Sequence, residues 1–484
     1  LKGLESFGGS IAGGYLDKYI CSDPKGVYKH FRPKCGSVLG RSYTNSGLPY
    51  LEEPEYEMFK RFALENAEYS SILKKLADYK AVRAQFKNVQ ITVLKSDVPA
   101  RNPDPSNFIF QQAYRDVESY FCFLNNTPSM EGGLDVNVKT SSGQPFLKLG
   151  FKKKKDCLGD GRYVLDDLLS REYVPLCTTN DKQERLPSDD FFRVDQGGSS
   201  KIRMTYCPDL AFILKQKLMY DYQNNQLLMR SANSWIRYGI AKQYGGFHRV
   251  IKSIEPFTLI EMSDISGMDR DACLKLVYSI RNKWTNTPSP FMDNIKGWLT
   301  KYLLNPWIIL PNGDIVELAT GNISGQVNTT GDNSILHFLV LVYFVMKLLV
   351  RNGEEPRLYR VFEVAFFNIY SDDKLGGVLH EELNIEIDEY KQIMIDTYEE
   401  FGLKIKPKAC LIVAKKITDR VPGEFEFLGS RVGWDEMYHK YIPLPRLGQI
   451  CASVVFGPVD RTRVSVPVQF ERLVNLYILS IAVP

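Results

Sequence analysis

Adjacent aspartates at the end of an apolar run call for a positive partner. The segment Val361–Tyr370 is almost wholly apolar and rich in β-branched and aromatic residues, and it leads into Ser371-Asp372-Asp373 before a second run, Lys374–Leu379. That pattern predicts a β-hairpin with two carboxylates at its tip. Aspartates often serve only to form turns. On a buried hairpin, however, two such charges repel each other and lose hydration unless a cation joins them. A second apolar strand, Phe257–Ser263, ends in Asp264, a third carboxylate. Ligands that are all carboxylate oxygens favour Mg²⁺, with Mn²⁺ as a substitute, over zinc. A pair of such ions clamps the attacking and leaving oxygens of an in-line phosphoryl transfer.

Phosphoryl transfer from a triphosphate also needs cations for the leaving group. Lys182, Arg185, Arg193, Lys201 and Arg203 cluster in one segment, interrupted by Gly197-Gly198-Ser199-Ser200, as a loop rich in phosphate-seeking groups. A sugar reader is available as well: Ser324-Gly325, followed by Thr329 and Asn333, puts hydroxyl and amide groups on a loosened loop and the first turn of a helix. Each of these taken singly reads as an ordinary cap. Together with the acidic hairpin they make a nucleotidyl-transfer site coherent. Upstream, Gln144–Asp156 reads as a strand running into four lysines, Lys152 to Lys155, a pattern more often found on a solvated face than at a binding site.

The elements that must hold these residues follow from periodicity. Ile335–Val350 is a buried helix interrupted only by His337 and Lys347, with Thr329, Thr330, Asp332, Asn333 and Ser334 as capping candidates and Gly353 as the stop. It falls short of the ~20 apolar residues that span a bilayer. Tyr56–Phe86 reads as helical, Arg270–Trp284 as helix-compatible, Asp388–Phe401 as an amphipathic helix and Leu403–Ile405 as a strand. A hairpin around Pro422-Gly423 returns through Phe425–Leu428. Strands alternating with helices predict an α+β sheet domain.

Composition sets the outer limits. The 484 residues are about three times the usual ~150-residue domain. With 44% hydrophobic and 24% charged residues the chain is an ordinary globular protein, which excludes disorder, collagen-like repeats and a coiled coil. The net charge of +4 means that any polyanion-binding surface comes from segregated charge. The nine cysteines are scattered and lack CxxC spacing, which points to a reducing compartment, and the five histidines are too dispersed for a His-rich metal site. The N-terminus, Leu1-Lys2-Gly3-Leu4, has no signal-like stretch and no initiator Met, which predicts either excision from a longer precursor or a trimmed chain.

In their order these residues resemble the motifs of RNA-dependent RNA polymerases of positive-strand RNA viruses, in the picornavirus-like group, over about residues 140–430. Motif A resembles Asp264-Ile-Ser-Gly-Met-Asp269, and motif B resembles Ser324-Gly325 with Thr329, Asn333 and Ser334. Motif C, usually Tyr-Gly-Asp-Asp, reads Tyr370-Ser371-Asp372-Asp373, keeping both acids. Motif F resembles Lys182 to Arg203, with a longer insert than expected. Motif G occurs as Thr44 to Pro49 and again as Thr140-Ser-Ser-Gly143-Gln-Pro145, and the second copy is preferred because the lysine run and motif F follow it. Motif E resembles Phe427-Leu428-Gly429-Ser430, the primer-grip hairpin. Motif D offers three lysines, Lys404, Lys406 and Lys408, of which Lys408, after Pro407, is favoured.

The resemblance implies a right-hand polymerase with an antiparallel palm sheet flanked by helices. Its expected parts are fingers over 1–219, palm over 220–269, a fingers insertion over 270–323, palm over 324–430 and a short thumb over 431–484. Asp264, Asp372 and Asp373 would hold two Mg²⁺ ions, and Lys408 would be the general acid. Asp269, Ser324 and Asn333 would read the ribose 2′-hydroxyl, while Thr329 and the motif F cations would line the nucleotide site. Thr140, Gly143, Pro145, Lys152, Lys153, Lys154, Gly325, Phe427 and Leu428 would contact template and primer. The implied partners are the RNA template, nascent RNA and rNTPs, with a protein primer and other viral replication proteins as further ones and membranes only indirectly. The implied location is membrane-associated replication complexes in the host cytoplasm, after release from a viral polyprotein. Three other readings compete. A reverse transcriptase shares the palm, but usually has an aromatic gate near the position of Asp269. A catalytically silent RNA-binding scaffold would not need the three acids, and a divalent-ion hydrolase would not need the sugar reader.

Overall fold

The apolar run at 335–350 is the middle of a longer helix, Thr329–Arg351, of 23 residues in a computed structural model of the chain. The structure describes residues 101–129, 136–143, 146, 151–158, 169, 174–181, 184–187, 204–309, 315–318, 321–406, 410–414, 417, 425–446 and 450, with the short pieces 20–21, 30–31, 61, 65 and 79–82. The long helix has the length and composition to cross a membrane, more than its apolar run predicts, yet it is buried in the protein along nearly its whole length. A helix apolar all round is stable in this way only at the centre of a large core.

The expected caps are not caps. The helix begins after Asn328, whose side chain makes no cap hydrogen bond, and Thr329 to Ser334 lie inside its first two turns. The side chains of Asp332, Asn333 and Ser334 are used in tertiary contacts instead. Asp332 is fully buried, accepting from Arg281 Nε at 2.6 Å and the Tyr278 hydroxyl at 2.7 Å. The Arg281 guanidinium also donates to Gln223 and Asn224. A buried charge persists only when it is paired and hydrogen-bonded in this way.

The chain divides into two units. The first comprises Leu1–Val38, Val93–Thr179 and Tyr206–Arg420. Its main sheet is antiparallel, with five strands: Ala365–Tyr370, Asp373–Val378, Leu259–Ser266 and Lys404–Ile405 in order, and Leu411–Val413 also pairing with Leu259–Ser266. The long helix packs on the helices Phe108–Tyr120, Leu274–Lys283, Leu358–Val364 and Ile387–Glu400. Aromatic rings knit these layers: Phe338 stacks on Tyr120 at 5.0 Å, and Trp235 meets Phe367 edge-on at 4.9 Å. A second sheet holds Trp307–Ile309 between Ile315–Glu317, antiparallel, and Leu176–Asp181, parallel.

Several local expectations are corrected. The run Val361–Tyr370 is not one strand: Leu358–Val364 is helical and only Ala365–Tyr370 is extended. Alternating apolarity could not separate the two. The helical half shows itself by Val361 and Val364 being buried three residues apart, while Arg360 pairs outward with Glu354, Glu363 and Glu382. The lysine run opens a short helix, Lys154–Leu158, rather than extending a strand. The stretch Arg270–Trp284 takes in the end of one helix, Met268–Asp271, and the whole of another, Leu274–Lys283.

The second unit comprises Leu39–Thr92, Asn180–Thr205 and Val421–Pro484. Tyr79–Val82, in a stretch expected to be helical, is a strand paired with Glu184–Pro187. Glu426–Phe427, Ser430–Asp435 and Lys440–Pro445 form an antiparallel sheet whose first turn is Leu428-Gly429, both at positive φ. Pro422 and Gly423, expected at the turn of a preceding hairpin that returns through Phe425–Leu428, lie outside the described residues.

Candidate active site

Strand register brings the acids together. Asp373, the first residue of its strand, is the cross-strand partner of Asp264, and Tyr370 pairs with Asp373, leaving Ser371-Asp372 as the hairpin turn. All three carboxylates are partly exposed, at one end of a sheet whose strand Asp373–Val378 is buried from Lys374 onward. Cross-strand partners have their Cβ atoms ~5 Å apart, so like charges here are destabilising without a cation. The all-oxygen donor set fits a hard divalent ion. Even so, no three acidic, His or Cys side chains among the described residues converge as a ready-made cage. Instead the Lys406 ammonium stands 2.5 Å from Asp264 Oδ2, and its backbone N–H donates to the Asp264 carbonyl.

The turn is strained and then clasped. Ser371 has φ +59°, a left-handed conformation that costs a non-glycine residue roughly 1–3 kcal/mol unless its surroundings hold it. One helix does the holding. The Ser371 N–H donates to Ser334 Oγ at 2.9 Å, Asn333 Nδ2 donates to Ser371 Oγ at 3.1 Å, and His337 Nδ1 lies 3.0 Å from the Ser371 carbonyl. A carbonyl only accepts, so Nδ1 carries the proton, and Nε2 then accepts from the Tyr398 hydroxyl at 2.6 Å. Burial pushes the His337 imidazole down to about 3, and the charge of Lys374 adds to the effect. The ring is therefore neutral, as this relay requires.

Asn333 also reaches Asp269. Its Nδ2 donates to Asp269 Oδ1 at 2.6 Å, and its Oδ1 accepts from Asn322 Nδ2 at 2.9 Å. The Asn322 N–H in turn donates to the Asp269 carbonyl at 2.6 Å. Asp269 is exposed in the short helix Met268–Asp271, while Asn333 and Asn322 are buried. A carboxylate thus faces solvent with an amide fixed behind it. The half-buried Ser324 accepts from the Tyr206 N–H through its carbonyl at 3.0 Å. Gly325 has φ +113°, and a Cβ there would lie 2.0 Å from the Tyr206 carbonyl, so only glycine fits. Thr329 Oγ1 donates to the Ile323 carbonyl at 2.9 Å, tying this loop to the helix.

Others of the expected residues have local settings of their own. Thr140 Oγ1 donates to the Asn137 carbonyl, and Gly143, at φ +76°, packs against the Asp209 backbone. Lys152 and Lys153 are exposed, but Lys154 is buried and desolvation lowers its ammonium pKa, so the lysine run presents two different faces. Arg185 lies in the strand Glu184–Pro187 of the second unit, as the register partner of Ala81. Phe427 is buried and Leu428 sits at the hairpin turn of that unit. Lys182, Arg193, Lys201, Arg203, Pro145 and Lys408 lie outside the described residues.

Sequence reasoning missed Asn322, His337 and Tyr398. His337 had a visible signal, as one of only two polar interruptions of a buried apolar run. Asn322 and Tyr398 had none, because their roles depend on which side chains face them across the fold.

A family model described as viral RNA-dependent RNA polymerase matches residues 69–440. The chain belongs to that family. Non-structural polyprotein 1AB of Turkey astrovirus 2 is 24% identical over 378 residues, covering 74% of this chain and 22% of the relative. The polyproteins 1AB of Human astrovirus-4 and Mink astrovirus 1 are 24% and 23% identical, over 43% and 51% of this chain and 14% and 18% of their own lengths. The chain spans about a fifth of the length of these polyproteins.

Proposed function

We propose that this chain carries out template-directed RNA synthesis, joining rNTPs to an RNA 3′-hydroxyl to copy a viral genome. The observation that carries the reading is the cross-strand pairing of Asp264 with Asp373 at a strained acidic turn, beside the Asn333–Asp269 pair. Two Mg²⁺ ions, held by Asp264, Asp372 and Asp373, would supply a lowered 3′-hydroxyl pKa and charge compensation on the triphosphate. The chain's own groups do the remaining work. Asp269, positioned by Asn333, and Ser324 read the 2′-hydroxyl, since a polar group that the bound nucleotide desolvates and a deoxynucleotide leaves unpaired penalises that nucleotide. Lys182, Arg185, Arg193, Lys201 and Arg203 offset the triphosphate charge, and Thr329 serves nucleotide binding. A lysine after the Ile387–Glu400 helix, Lys408 by preference, protonates the departing pyrophosphate.

In this reading the palm spans 220–269 and 324–430, with fingers over 1–219 and 270–323 and the thumb over 431–484. Thr140, Gly143, Pro145, Gly325 and the lysines at 152–154 guide template phosphates without reading sequence. Phe427 and Leu428 grip the primer. The relatives being polyproteins supports release from a viral polyprotein. The reading also includes other viral replication proteins as partners, initiation either on a protein primer or de novo, and a place in the host cytoplasm on membranes contacted only indirectly.

Template-directed primer extension with rNTPs and with dNTPs in Mg²⁺ tests this. Wild-type protein is expected to extend with rNTPs, and Asp372→Ala to fall to background while its RNA affinity stays near wild type. Synthesis retained by purified Asp372→Ala would overturn the assignment. Incorporation of dNTPs alone would move it to reverse transcription.

A further inference from the structure

A side-chain amide can donate two hydrogen bonds, and Asn333 uses both: one N–H goes to Asp269 and the other to the Ser371 hydroxyl. Its oxygen is held by Asn322. The amide is thus fixed on three sides, and one of the three lies on the acidic turn. Ser371 occupies a left-handed conformation that glycine adopts at no steric cost. A glycine there would ease the backbone and leave an Asn333 N–H without its acceptor. The turn itself does not depend on the hydroxyl, because Ser334 and His337 hold the Ser371 backbone independently.

We propose that the Ser371 hydroxyl is a specificity-positioning group: by accepting one N–H of Asn333 it aims the other at Asp269, and so sets how strongly the site prefers ribo- over deoxyribonucleotides. The inference rests on the reading of Asn333 and Asp269 as ribose-facing groups. It also links sugar selection to the acidic turn, since a displaced Ser371 moves both Asn333's partner and the neighbour of Asp372.

Ser371→Ala removes the hydroxyl while keeping a side chain at the left-handed position; Ser371→Gly removes it and relieves the backbone. For each, and for Asn333→Asp, single-nucleotide extension gives kcat/KM for ATP against dATP. Equilibrium binding of the two nucleotides to the protein–RNA complex gives the same ratio without turnover. Both Ser371 variants are expected to lower the ATP:dATP ratio by roughly fivefold, the size of one lost hydrogen bond. Asn333→Asp should narrow it at least as much. An unchanged ratio in both Ser371 variants, with Asn333→Asp still narrowing it, overturns the inference and leaves the ribose reading standing. An unchanged ratio in all three removes the ribose reading and the inference together. A ratio that falls in Ser371→Ala but not in Ser371→Gly assigns the effect to backbone strain and also overturns it. A purely structural role would slow both nucleotides alike and leave the ratio unmoved.

Discussion

Glu261 and Asp264 sit three residues apart on one strand, and each faces a lysine, yet the two pairs are opposite in kind. Glu261 and Lys374 are 2.8 Å apart with side chains 0% exposed, and the ammonium also faces the rings of Phe367 and Tyr398. Asp264 and Lys406 are 2.5 Å apart with side chains 34% and 43% exposed. In the buried middle of the sheet no water is at hand to replace either charge's partner, so the pair is part of the fold. At the solvent end water competes for both ions, and the pair can be exchanged for a cation at small cost. One strand therefore carries a permanent ion pair and a replaceable one, and the replaceable one contains Asp264, the cross-strand partner of Asp373.

The largest expected effect is at the buried pair. Glu261→Gln strands the Lys374 charge in the core and should cost roughly 3–5 kcal/mol, while exchanging both residues for Met should recover most of that. Thermal unfolding of the single and double variants measures it. A single variant as stable as wild type would mean that water reaches this pair, and the contrast with Asp264 would collapse.

His337 extends the buried side of the comparison to pH. Its native pKa, about 3, lies below the ordinary 6.5, so below pH 6.5 the unfolded chain binds a proton that the native state refuses. The stability tied to its neutrality is complete above pH 6.5 and is lost as pH falls from there toward 3. Between pH 7.5 and 5 the loss should be about 2 kcal/mol. Denaturant titrations at both pH values should show this slope in wild type and its absence in His337→Phe. An identical slope in the variant would mean that the imidazole is not held neutral.

The smallest effect belongs to the exposed pair. Lys406→Ala should change stability by no more than ~1 kcal/mol. That difference should shrink between roughly 0.1 and 1 M salt, where the screening length drops from ~10 to ~3 Å. A larger, salt-independent loss in thermal unfolding would make Lys406 a structural group like Lys374.

Legibility followed the same division. Asp264, Asp372, Asp373, Asp269 and Asn333 could be picked from residue type, spacing and order, because strands alternating with apolar helices leave few places for adjacent acids. The capping residues were legible as polar groups but misread in role. Asp332 looked like a helix start and proved to be the buried partner of Arg281, 51 positions earlier in the chain. The apolar segment 361–370 hid a helix-to-strand change, since a short hydrophobic run has the same composition in either conformation.

The sequence by itself determined the inventory: three carboxylates in order, an asparagine at the head of a buried helix, and a serine just before the paired aspartates. Those are local matters of residue chemistry and periodicity. Only the tertiary structure decided the pairing of Asp373 with Asp264, the partition of two lysines into a buried and an exposed ion pair, and the threefold hold on Asn333. Each of these depends on strand register or on side chains far apart in the chain, and a hydrogen bond's partner is chosen by distance and burial, which residue order does not encode locally.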